Sequence, residues 1–224
     1  MNRLSPVNLN NAAIAMLEAN NYSKAIRALF LALEKYRSKM SSQRAAAQCT
    51  VTGNTSLDEC MLENSCCDRG DSDRGRYVYR QAIRLPKDYG QNYLQSTMAS
   101  AIIIFNLGLA YQLFAERQDR DIPNRRVALE KAVKLYQLAL GMQKEEDFDC
   151  NTMFVLAITN NLGVIHLELN DHKQSIKYFE RLMSIILYLS DRGEEDASRY
   201  LSNSAGFLRN ASSILQKNCA APAA

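Results

Sequence analysis

Tryptophan is absent from this chain, histidine occurs twice and proline four times, and there are nine glycines in 224 residues. So little proline and glycine excludes a turn-rich β fold. Without tryptophan, any core must be filled by aliphatic residues, tyrosine and phenylalanine. Charge of one sign is also lacking: the net charge is +3, too mild to draw a nucleic acid by electrostatics. The stretch Met1-Asn2-Arg3-Leu4-Ser5-Pro6 lacks the basic start and the continuous apolar run of a secretory signal. The most apolar stretch, 99–115, is interrupted by Asn106 and Gln112 at helical spacing and is short for a membrane span. A buried helix of a cytoplasmic (or nuclear) protein is expected there, with no membrane partner.

Chemistry-bearing constellations are equally sparse. Cys49, Cys60, Cys66, Cys67, Cys150 and Cys219 lack the paired spacing of a zinc site, and His166 and His172 lie far from most of them. Reduced thiols and no metal are expected. The sequence holds no Gly-rich phosphate loop, no Gly-x-Ser-x-Gly elbow and no paired acid and base. His166 reads as a core histidine and His172 as a solvated one. No catalytic residue and no cofactor are expected.

What is present is helical periodicity. Over residues 8–40, Leu9, Ala12, Ala13, Met16 and Leu17 form one apolar stripe and Ala25, Ile26, Leu29, Ala32 and Leu33 another. The polar Ala19-Asn20-Asn21-Tyr22-Ser23 between them predicts a tight turn and an antiparallel helical hairpin. Residues 41–75 are polar and predict a flexible insertion. Residues 76–90 are rich in β-formers up to Pro86 and predict an extended segment with no sheet to join. Helices are predicted at 91–117, 124–143, 150–169, 172–190 and 195–217, with a frayed tail at 218–224.

Three segments align with one another. Asn11-Ala12-Ala13 with Met16 precedes Tyr22, Ala25-Ile26 and Leu29; Asn106-Leu107-Gly108 with Tyr111 precedes Ala132-Val133 and Tyr136; Asn161-Leu162-Gly163 with His166 precedes Ser175-Ile176 and Phe179. The small residues at 13, 108 and 163, and at 25, 132 and 175, allow two helices to approach closely. Tyr111, Tyr136 and Phe179 fill the space beside them.

This pattern resembles the tetratricopeptide repeat, with its Leu-Gly-x-x-Tyr first helix and Ala-x-x-x-Phe second helix. The resemblance covers about 140 of the 224 residues. It departs from the family in its spacing, since Asn11, Asn106 and Asn161 stand 95 and 55 residues apart against about 34 in a regular repeat. It also lacks the closing prolines. The fold implied is all-α, an α-solenoid of about three antiparallel helix pairs: 8–40, then 91–143 with a long inter-helix loop, then 150–190, and finally a capping helix at 195–217.

The resemblance also implies a function: a non-catalytic scaffold holding a peptide or helix of a partner protein in a concave groove lined by the first helices. Asn11, Asn106 and Asn161 share one motif position there, and Asn160 adjoins the last. An amide both donates and accepts, so a row of them suits the main chain of an extended peptide. Ile102, Phe105, Leu109, Leu113, Val164 and Leu167 would supply an apolar floor. Residues 76–90 of the chain itself are a second candidate occupant. Val7, Ala157 and Asn161 stand where the chaperone-binding subclass carries basic residues, so binding of a C-terminal dicarboxylate motif is disfavoured. The alternative is a structural subunit of a larger assembly. Exposure of Phe105, Leu109 and Leu113 separates the two, because a peptide groove needs them reachable.

Overall fold

The computed structural model describes residues 5–44, 76–87, 89, 93–118, 123–143, 151–191 and 205–219. Among the described residues there are seven α-helices and no β-strand: α1 (Pro6–Glu18), α2 (Tyr22–Arg44), α3 (Tyr93–Glu116), α4 (Pro123–Gly141), α5 (Thr152–Glu168), α6 (His172–Asp191) and α7 (Ala205–Cys219). They fall into two compact units. The first draws on Met1–Ser56 and Ala82–Phe148, the second on Leu57–Gln81 and Asp149–Ala224.

In the first unit, α1 opens with Pro6 in its first turn, where a missing N–H costs nothing, and the Ser5 hydroxyl accepts from the Asn8 N–H at 3.1 Å. The helix closes on Asn20, whose φ of 60° is the left-handed conformation that asparagine tolerates better than most residues. There the Asn21 N–H bonds the Met16 carbonyl and the Asn20 N–H bonds the Leu17 carbonyl, which satisfies the last carbonyls of α1. The chain therefore reverses within three residues, and α2 packs antiparallel on α1. Successive helices then pack in order, α2 on α3 and α3 on α4, and α1 also touches α3.

The second unit repeats the device. Asn170 has φ 62°, the Asp171 N–H bonds the His166 carbonyl and the Asn170 N–H bonds the Leu167 carbonyl. The Asp171 carboxylate then accepts from the Gln174 N–H at 3.2 Å and caps α6. Here α5 packs on α6, α6 on α7, and α7 also touches α5.

Close helix approach rests on the small residues named from the sequence. A Cβ on Gly108 would lie 3.0 Å from the Tyr136 ring, and one on Gly163 would lie 2.8 Å from the Phe179 ring. Ala13, Ala25 and Ala132 are fully buried. Ser175 is too, and its hydroxyl donates to the Gly163 carbonyl at 2.8 Å. The buried Tyr136 hydroxyl donates to Gln112 at 2.9 Å, which satisfies it inside the core.

Three boundaries differ from the sequence reading. Helix α2 runs on to Arg44, into the expected insertion. Helix α4 starts at Pro123, one residue before the expected start. Helix α7 runs on to Cys219, into the expected tail. The rest of the expected insertion, the 119–122 and 144–150 connections, and residues 192–204 and 220–224 lie outside the described residues, as do five of the six cysteines. By length and composition Thr97–Glu116 would suffice to cross a membrane, and most of it is buried within the fold.

Candidate asparagine site

Residues 76–85 carry no helix and no turn. Their main chain is held by asparagine side chains, in each unit by a triad. In the first unit the triad is Asn10 and Asn11 of α1 with Asn106 of α3. The Asn11 amide donates to the Leu85 carbonyl at 2.7 Å and accepts from the Leu85 N–H at 2.9 Å. Asn106 does the same to Ile83, at 2.9 and 2.8 Å. Asn10 donates a second bond to the Ile83 carbonyl at 3.1 Å and ties the other two together, donating to Asn11 at 3.1 Å and accepting from Asn106 at 2.9 Å.

In the second unit the triad is Asn160 and Asn161 of α5 with Asn210 of α7. Asn161 donates to the Tyr79 carbonyl and accepts from the Tyr79 N–H, both at 2.9 Å. Asn210 clamps Tyr77 with bonds of 2.6 and 3.0 Å. Asn160 adds a bond to the Tyr77 carbonyl at 3.2 Å, donates to Asn161 at 3.1 Å and accepts from Asn210 at 2.7 Å.

Within each unit the clamped residues are two apart, 77 and 79 in the second and 83 and 85 in the first, as an extended chain presents N–H and C=O of every second residue to one side. Asparagine suits this work. One neutral side chain both donates and accepts, whereas a carboxylate would only accept and would be costly to bury as an ion. Asn10, Asn106, Asn160 and Asn161 are fully buried, where an unmade bond is expensive.

Side chains of the segment are held as well. Ile83 and Leu85 in the first unit, and Val78 and Tyr79 in the second, are buried. Arg84 forms a 2.7 Å ion pair with Glu18, exposed on both sides and so worth little. The Tyr77 ring stands edge-on to Phe207 of α7 with centroids 5.3 Å apart, and the Tyr79 ring stacks on the same Phe207 at 6.1 Å. Gly206 faces the Tyr77 ring so closely that a Cβ there would run into it.

Of the residues singled out from sequence, Asn11, Asn106, Asn160 and Asn161 are thus brought onto the main chain of residues 77–85. The apolar candidates are covered within the fold: Ile102, Phe105, Leu109, Leu113 and Val164 are buried and Leu167 is half-buried. Phe105 packs against Tyr136, ring centroids 5.6 Å apart. By the exposure test set out above, Phe105, Leu109 and Leu113 form no open floor. The physical reason is that α3 and α5 carry apolar residues around most of their circumference and are buried over most of their described length.

Sequence reasoning missed both Asn210 and Asn10. Asn210 follows Gly206 by one helical turn in a helix without the Leu-Gly-x-x-Tyr pattern, which is why the helix read only as a cap. His166 sits in the core against Tyr178, with Nδ1 3.2 Å from the Asp171 carboxylate. Val7 and Ala157 are also buried. Among the described residues no cluster of His, Cys, Asp or Glu is suited to a metal ion. Comparison of the chain with protein-family models, curated proteins and solved structures finds no match.

Proposed function

We propose that this chain is a non-catalytic, tetratricopeptide-like scaffold of the α-solenoid type, in which each unit's asparagine triad, Asn10, Asn11 and Asn106 in the first and Asn160, Asn161 and Asn210 in the second, grips extended protein backbone by its main chain. The observation that carries the reading is the paired bond, donor and acceptor, from Asn11, Asn106, Asn161 and Asn210 to one residue each of residues 77–85. Such a grip reads backbone shape and leaves most side-chain identity free. The proposed partner is a protein, with no nucleic acid, cofactor or dicarboxylate tail involved.

The site is occupied by the chain's own segment, so a partner enters by exchange. A tethered segment competes at an effective concentration on the order of millimolar. A partner therefore needs either a better side-chain fit or a high local concentration of its own. A peptide-display selection on the full chain, repeated on an Asn106→Ala/Asn161→Ala variant, tests this. Selected segments should bind the unaltered chain and lose at least about thirtyfold in the variant, the equivalent of about 2 kcal/mol. Failure to select any segment, or selection that survives the variant, removes the reading.

A second reading is favoured by the burial of Phe105, Leu109 and Leu113: a structural subunit whose segment is a permanent part of its fold. It predicts that the Tyr77, Tyr79, Ile83 and Leu85 amides exchange with solvent only when the whole chain unfolds.

A further inference from the structure

The geometry points to the α7 end of the second unit as a reader of aromatic-x-aromatic segments, with Gly206 and Phe207 as the residues that set this specificity; the inference rests on the exchangeable grip proposed above. Its basis is a difference between the two triads. Asn106 and Asn210 hold their residues by the same pair of bonds. One helical turn before Asn106 stands Ile102, a branched and buried side chain. One turn before Asn210 stands Gly206, whose missing side chain is where the Tyr77 ring lies. The next residue, Phe207, is fully buried and meets two rings at once, Tyr77 edge-on and Tyr79 stacked. Both geometries are the favoured ones for aromatic pairs.

Residues i and i+2 of an extended chain project to the same face. Two aromatic side chains separated by one residue therefore arrive together on Phe207, while the main chain of the same two residues is taken by Asn210 and Asn161. A single aromatic would leave part of the Phe207 ring uncovered. A β-branched or small residue at the Tyr77 position would leave the space over Gly206 empty. The ligand class is thus an extended peptide carrying Tyr or Phe at two positions, one residue apart, with the amide N–H of both free to donate.

The test uses the full chain carrying Tyr77→Ala/Tyr79→Ala, which weakens its own occupant, and three labelled ten-residue peptides. The first has the sequence of residues 76–85, the second carries Phe in place of both tyrosines, and the third carries Ala. Fluorescence anisotropy should place the first two within about threefold of each other and the third at least about tenfold weaker. Adding Phe207→Ala or Gly206→Ala to the receptor should shrink that ratio to within about twofold. Equal binding of all three peptides overturns the aromatic reading while leaving the asparagine grip standing. Absence of binding by any of them overturns both.

A second measurement covers a receptor that does not fold. In the otherwise unaltered chain, Phe207→Ala should lower hydrogen-exchange protection of the Tyr77 and Tyr79 amides at least about tenfold and leave Ile83 and Leu85 unchanged. Equal loss at all four, as general destabilisation would give, or loss at none, overturns the proposal.

Discussion

The first unit holds Ile83 and Leu85, the second holds Tyr77 and Tyr79, and each does so with three asparagines wired in the same way. An adjacent pair on the leading helix meets a single asparagine on a later helix, and the middle member links the other two. The turns that follow α1 and α5 share the same left-handed asparagine and the same carbonyl caps. What differs is the side-chain surroundings: Ile102 stands in one unit where the other has Gly206 beside Phe207. Main-chain and side-chain contacts to the segment are therefore separable here. The amides hold its main chain, and the residues one turn away on the same helices differ between the units.

The hardest blow to the likeness is the loss of one clamp in each unit. Asn161→Ala leaves both main-chain groups of Tyr79 without that partner, whereas after Asn106→Ala the Ile83 carbonyl retains Asn10. Each should cost about 2–4 kcal/mol by urea denaturation, Asn161→Ala the more. Equal or reversed costs would show that the triads are not equivalent in strain or solvation.

Glycine replacement is expected to be smaller. Gly163→Ala forces a Cβ against the Phe179 ring and Gly108→Ala against the edge of Tyr136. Overpacking of about 1–3 kcal/mol is partly offset by about 1 kcal/mol of helix propensity. The net loss in thermal unfolding should be larger at Gly163, where the approach is closer.

Smaller again are the turns. Asn20→Ala and Asn170→Ala should each cost about 1 kcal/mol, for the left-handed backbone. Replacement by Gly separates the two, because Asn20 also accepts from the Tyr22 hydroxyl at 2.8 Å. Asn170→Gly should be neutral within about 0.5 kcal/mol and Asn20→Gly measurably destabilising.

The last effect is electrostatic, appears only at alkaline pH and belongs to the first unit. Burial pushes the Tyr36 hydroxyl up to about 12, above the ordinary value of about 10. Because the folded state keeps this proton after the unfolded state has lost it, the contribution is intact below about pH 10 and declines as pH rises toward 12. Tyr36→Phe should flatten that part of the stability profile, measured as denaturation midpoint against pH.

Much of this architecture was legible beforehand. The hairpins follow from apolar stripes of helical period interrupted by Asn20-Asn21 and Asn170-Asp171, and the close approaches follow from Gly108 and Gly163 opposite large rings. Asn106 and Asn161 stood out because they share a motif position. The apolar floor was misjudged because α3 and α5 are apolar around most of their circumference, so periodicity carries little information about which face a residue lines. Asn210 escaped because its partner is a main-chain group more than a hundred residues away, and main-chain groups leave no trace in the identity of the residue that bears them. Residues 76–85 were readable as extended, while what they pair with was one possibility among two.

A grip on the peptide bond imposes one rule on what it holds. At positions 77, 79, 83 and 85 an asparagine oxygen accepts the amide hydrogen, and proline is the one residue that has none. The segment can vary its side chains within the space its neighbours leave, yet an imino acid at any of those four places removes a bond from a buried amide. Pro86 follows directly on the last of them. The amide bonds thus constrain the segment less by the residues it must contain than by the single one it must omit, and by where that omission ends.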